Sequence, residues 1–196
     1  MTLYTLGSLT ADIALSHTDL LAARTAEALR AFPEAAGVGA AAVDPEHSDT
    51  SASRDAYGLE PDTLVNCVIV SGKREGQQRV AACLVKATQR ADVNNVVKRA
   101  LDVRKASFLA QERAVQLSAM EYGGITPIGL YQHEPGDMRI FVDPAILQTP
   151  LVLIGSGIRR GKLILPGELL AEFPGVEICE DLGLPLALDA SLPVDW

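Results

Sequence analysis

The stretch LVNCVIVSGKREGQQRVAACLV, Leu64 to Val85, decides the architecture. Leu64 to Val70 is a run of apolar and β-branched residues broken only by Asn66, and Val80 to Val85 answers it after the polar segment Ser71 to Gln77. Two short apolar runs joined by a polar, glycine-containing turn predict a buried hairpin. Asn66 is the anomaly in it. A buried amide left unpaired costs about 1–3 kcal/mol, so this asparagine needs either a partner in the core or a place in a functional site, and the site explains it better.

Upstream of the hairpin, Thr18 precedes a helical pattern in which Leu21, Thr25, Ala28, Leu29 and Phe32 share a face and which Pro33 stops. Gly37 to Val43 suits a short strand, Asp44 to Ser53 a polar loop, and Ser51 or Ser53 the cap of a brief helix up to Tyr57. Downstream, Asp92 is a good N-cap for a helix through Val93, Val96, Val97, Ala100 and Leu101, and Ser107 for another to about Ala119. Met138 to Val142, Leu151 to Gly155 and Lys162 to Leu165 read as strands, Pro166 opens a short helix through Leu170, and Val176 to Cys179 closes the sheet. Strands and helices alternate irregularly with hairpin-length gaps, which favours α+β over a doubly wound sheet. The 196 residues suit a single domain able to bury a real core, with no repeat or linker.

Composition narrows the function classes. No run approaches the ~20 apolar residues of a membrane span, and the N-terminus has no charged and then apolar leader pattern, so a soluble, cytoplasmic protein is expected. Cys67, Cys83 and Cys179 are odd in number, far apart and set in apolar runs, which suits buried free thiols and no metal site. The net charge of −8 hides an uneven distribution. Residues 63–162 carry 14 basic and 8 acidic side chains, between acidic flanks with 3 and 10 (residues 1–62) and 0 and 7 (residues 163–196). Such a basic middle either forms a positive face for a polyanion or is spread over solvated surfaces.

The chemistry-bearing segment is Met120 to Leu130, MEYGGITPIGL. Gly123 and Gly124 carry no Cβ and can take φ > 0, so their amides can approach a ligand, while Pro127 fixes the chain direction. A tight helix-to-strand connection is the plainer account of the same residues. His17, His47 and His133 lie near no nucleophile and at no metal spacing, which disfavours a serine hydrolase. The later segment GSGIRRG, Gly155 to Gly161, lacks the lysine spacing of a phosphate loop, although Arg159 and Arg160 can fork onto phosphate or sit in an exposed turn.

Four segments in this order, Tyr57 to Ser71, Gly123 to Pro127 with its G-x-x-x-P pattern, Arg139 to Leu147 with Asp143, and Leu151 to Leu170 with Gly155, Ser156 and Gly157, resemble the YbaK/ProX family of aminoacyl-tRNA deacylases. That family includes the editing insertion of bacterial prolyl-tRNA synthetases. The resemblance implies a mixed, barrel-like sheet surrounded by helices, with a core over residues 52–183 and residues 1–50 as an N-terminal helix and loop extension. It also implies a trans-editing hydrolase that frees a small, wrongly attached amino acid from tRNA, without metal or cofactor. Gly123, Gly124, Thr126 and Pro127 would then hold the ester or the terminal adenosine, and Asp143, Gly155, Ser156, Gly157, Arg159 and Arg160 would bind substrate. Asp143 also reads as the N-cap of a helix opened by Pro144. Family deacylases commonly carry a lysine on the strand that Leu64 to Val70 would form, where this chain has Asn66. An amide can orient water but supplies no charge, so a binding protein that keeps the pocket without hydrolysis is the alternative. Arg79, Arg90, Lys98, Arg99, Arg104 and Lys105 are candidates for contacting an acceptor stem. The sequence leaves a homo-oligomer open.

Overall fold

In a computed structural model of the chain, residues 2–131 and 138–186 are described; His133 lies outside them. Strands β1 (Tyr4–Leu6) and β2 (Leu9–Ile13) precede helix α1 (Ala23–Ala31). Strand β3 (Gly39–Ala42) leads through a 3-10 turn at Pro45–His47 to α2 (Thr50–Tyr57). The long pair β4 (Val65–Arg74) and β5 (Gln77–Lys86) is followed by β6 (Gln89–Ala91). A wide π turn at Val93–Val97 runs into α3 (Lys98–Ala100), then come β7 (Ala106–Phe108) and α4 (Gln111–Ser118). Strand β8 (Arg139–Val142), α5 (Pro144–Leu147), β9 (Val152–Gly155), β10 (Gly161–Leu165), a 3-10 turn at Gly167–Glu172, β11 (Val176–Ile178) and β12 (Gly183–Pro185) complete the order.

The strands form two five-stranded sheets, β1-β2-β3-β10-β9 and β11-β8-β5-β4-β7, and a two-stranded ribbon β12-β6. A parallel bridge between Leu64 and Leu153 brings the start of β4 against β9 and joins the two sheets. The arrangement is mixed: β5–β8 and β8–β11 are parallel and the other pairs antiparallel. This is the α+β single domain with a curled sheet that the sequence predicts.

Alternation along β4 and β5 assigns each face to its own core. Val65, Ile69, Ala82 and Leu84 join α1, β8 and β9 in the main cluster, whereas Val70, Ala81, Cys83 and Val85 pack under Val93, Val96, Val97 and Leu101. Burial by both faces explains why these strands read as continuous apolar runs rather than alternating ones. Cys67, Cys83 and Cys179 are free thiols, and burial pushes that of Cys67 up to about 12.

Several expected boundaries move. The hairpin turn is two residues, Glu75 (φ 52°) and Gly76 (φ 80°), so Ser71 to Arg74 and Gln77 belong to the strands. Positive φ at both positions matches the primed turn that a right-twisted hairpin needs. Ser51 and Ser53 lie inside α2, whose N-cap position is Asp49. Ser107 sits in β7, and α4 starts after Ala110. The N-terminal extension contributes more than a helix and loop, because β2 pairs with β3 and carries β1 at the sheet edge.

Candidate active site

The glycine loop, residues 120–130, packs on the connection between β9 and β10, and its three successive peptide units are each held by the carbonyl. Tyr122 O accepts from Arg159 Nη1 (3.2 Å), Gly123 O from Ser48 Oγ (3.2 Å) and Lys162 Nζ (3.3 Å), and Gly124 O from the Gly157 amide (2.7 Å). In a trans peptide the N–H points opposite to the carbonyl. The Gly123 amide therefore points opposite to Tyr122 O, and the Ile125 amide opposite to Gly124 O. Neither has an acceptor among the described residues, whereas the Gly124 amide is spent on Glu121 O (3.0 Å). Two free donors on a fixed loop can serve a developing oxyanion.

Glycine is required here by space as well as by conformation. A Cβ on Gly124 would lie 2.7 Å from the Ile158 backbone, and one on Gly123 would lie 2.5 Å from the Arg159 guanidinium. Gly123 also has φ 80° and Gly157 φ 90°, both left-handed.

Segment Ser48–Thr50, at the start of α2, ties the remaining groups together. Ser48 O accepts from Lys162 Nζ at 2.6 Å. Asp49 Oδ1 accepts from Arg159 Nη1 (3.3 Å), and the same guanidinium donates to Pro45 O at 2.7 and 3.1 Å. Thr50 Oγ1 donates to Asn66 Oδ1 at 2.6 Å. One short run thus links Lys162 on β10, Arg159 on the connection and Asn66 on β4. Lys162 is 6 % exposed and forms no ion pair among the described residues. Burial pushes its ammonium down to about 8; Asp49 opposes that shift and Arg159 adds to it.

The predicted residues divide. Gly123, Gly124, Gly155, Gly157 and Arg159 come together at the loop, and Asn66 joins them through Thr50. On its other side Asn66 lines a shallow depression with Val68, Val85, Gln89, Arg90, Ala91 and Phe108, the last 46 % exposed. Thr126 and Pro127, in the second half of the loop, are buried. The Thr126 hydroxyl has no partner among the described residues, and its amide donates to Met120 Sδ (3.5 Å). Ser156 is buried and donates to Ile158 O (3.3 Å). Arg160 is exposed and turns to Asp19 O (2.6 Å), away from the loop. Arg79, one of the proposed stem contacts, is drawn onto Leu101 O and Asp102.

Asp143 takes the capping role. Its Oδ1 accepts from the Ala145 amide (2.9 Å) and its Oδ2 from the Gly183 amide (2.7 Å), so it closes α5 and pins β12. Asp143→Ala is expected to destabilise the fold by about 2–3 kcal/mol, from a lost cap and a second buried amide left without its acceptor. Asp143→Asn, which keeps an acceptor at one oxygen, is expected to lose less. Urea denaturation of the two variants checks the order.

Lys162, Ser48, Asp49 and Thr50 were not legible as site residues. For Lys162 a signal existed: a lone charge opening the apolar strand GKLIL is the same anomaly as Asn66.

The structure thus sets a glycine loop with two amides free among the described residues on a curled α+β sheet beside a buried cation. The chain belongs to the family of aminoacyl-tRNA editing domains, whose model matches residues 44–173. Among solved structures it is similar to a candidate trans-editing enzyme for prolyl-tRNA synthetase (TM-score 0.64, 17 % identity, 82 % of this chain and 97 % of that one). It is also similar to a protein described only as hypothetical (TM-score 0.60, 20 % identity, 70 % and 85 %). At these identities the likeness is one of fold. No curated protein matches the sequence. Among the described residues no helix is long and apolar enough to cross a membrane.

Proposed function

We propose that the protein is a trans-editing hydrolase that cleaves the ester of a mischarged tRNA carrying a small amino acid. The observation that carries this reading is the pair of amides at Gly123 and Ile125, free among the described residues, on a loop whose Tyr122, Gly123 and Gly124 carbonyls are held. An aminoacyl ester is already activated, so it needs no protein nucleophile. A water attacks the ester carbonyl, the two amides take the developing negative charge, and collapse expels the terminal ribose oxygen, which gains the proton the water loses. The adjacent ribose hydroxyl is positioned to help orient that water. Asn66, steadied by Thr50, offers its Nδ2 to the substrate or the water. Arg159 acts by holding Tyr122 O, and through it the Gly123 amide.

Purified protein is to be incubated with tRNAs charged with alanine, serine, cysteine, threonine or proline, following ester loss against a no-protein control. Selective hydrolysis that Asn66→Ala reduces at least tenfold supports the reading. Arg159→Ala is expected to cost a further ten- to hundredfold, and Arg160→Ala to stay within about twofold of the parent, since Arg160 faces Asp19. Asn66, standing where family deacylases commonly have a lysine, favours one second reading: a protein that binds aminoacyl-tRNA without cleaving it. Saturable binding of charged tRNA with no turnover across the panel would select it.

A further inference from the structure

We infer that Lys162 is a positioning residue of this site: from β10 it clamps the Gly123–Gly124 peptide and supplies the positive charge that Asn66 does not supply from β4. This rests on the deacylase reading of the loop.

The geometry is specific. Lys162 Nζ donates to Ser48 O (2.6 Å) and Gly123 O (3.3 Å), two carbonyls from segments far apart in sequence, and so fastens the start of α2 to the glycine loop. An ammonium has three donors, and the third has no acceptor among the described residues. The rest of β10 is buried and apolar, Leu163, Ile164 and Leu165 being fully enclosed. A hydrophobe of the same length would satisfy packing at position 162, and a buried charge without a carboxylate partner costs stability. Stability therefore gives no account of the lysine, whereas a loop that must hold negative charge does. A cation this buried is poorly screened, so it acts on an oxyanion at the Gly123 and Ile125 amides more strongly than a surface charge would. The charged groups facing it are Asp49 at the start of α2 and Arg159 on the β9–β10 connection, and these two are paired with each other; Glu121 of the loop accepts from the Arg159 amide.

The test combines turnover with a readout that a merely structural lysine would not move. In protein labelled with 15N-glycine, the Gly124 amide, which shares its peptide unit with Gly123 O, is expected to titrate with a midpoint near pH 8 in the parent. It should show no such step in Lys162→Met. Deacylation by Lys162→Met is expected to fall at least tenfold in kcat with KM within about twofold. Lys162→Gln keeps a donor without charge and should retain the loop resonances while losing turnover; it also serves if the methionine variant does not fold. Asn66→Lys in the Lys162→Met background should restore part of the turnover. A Gly124 signal indifferent to both pH and Lys162→Met overturns the inference, as does a kcat within twofold of the parent. If the parent itself hydrolyses no charged tRNA, the deacylase reading fails, and the Gly124 titration still decides whether Lys162 clamps the loop.

Discussion

Gly155→Ala is expected to lower the free energy of unfolding by about 3 kcal/mol and to abolish whatever activity the glycine loop supports. A Cβ at Gly155 would sit 2.2 Å from Gly124 O and 2.5 Å from Ile125 O. Both neighbours are backbone, so no side chain can swing aside. The loop must move by an ångström or more, and the Gly157 amide then loses its 2.7 Å bond to Gly124 O. Overpacking of this kind costs about 1–3 kcal/mol, and a clash between two backbones belongs at the upper end. Gly58→Ala is the control: Gly58 has φ 62° but nothing within 4 Å of its added Cβ. Only the left-handed strain of about 1–2 kcal/mol is expected there. Guanidinium denaturation of the two variants measures the contrast, and a Gly155→Ala midpoint at or above that of Gly58→Ala would refute the packing argument.

The second large effect is a dependence of stability on pH that belongs to Lys162. Its folded-state value lies near 8, below the ordinary lysine value of 10.5. Between those values the unfolded chain binds the extra proton, so stability rises as pH rises from about 8 to 10.5 and the penalty is fully present below 8. Two and a half pH units correspond to about 3 kcal/mol. The buried thiols act in the opposite sense. Cys67 and Cys83 are pushed up by burial, and the stability they contribute is lost as pH rises above the unfolded thiol value. The difference between the parent and Lys162→Met isolates the lysine, since both chains share the thiols. That difference is expected to shift by about 3 kcal/mol in favour of the parent between pH 7 and 10.5 in urea melts. A difference independent of pH would mean that Lys162 is not held in an environment that disfavours its charge.

How much of the site was legible varies with what each residue does. The glycine loop was, because adjacent glycines and a proline mark a tight turn in the sequence, although the reason for Gly124, the Ile158 backbone beside it, is tertiary. Asn66 was, because a polar residue inside an apolar strand stands out against its own surroundings. Arg159 and Arg160 were not distinguishable: adjacent in sequence and identical in type, they are sent by one turn to Tyr122 O and to Asp19 O respectively. Asp143 carried two readings, and its Ala145 and Gly183 contacts are the capping one. Ser48 to Thr50 looked like polar loop, since nothing local marks a carbonyl that a lysine more than a hundred residues later will seek.

By itself the sequence determined the α+β class, the central β4–β5 hairpin, most strand positions and the family motifs, because apolar periodicity, turn chemistry and glycine requirements are written within a few residues of where they act. Which charges gather at the glycine loop was settled by the folded chain alone. The Lys162 ammonium, the Arg159 fork and the Asn66 amide lie on three different elements, and the curl that brings β4 against β9, which pairs with β10, is set by sheet packing between distant segments. Their convergence on Ser48–Thr50 is a property of the closed fold, which no local pattern encodes.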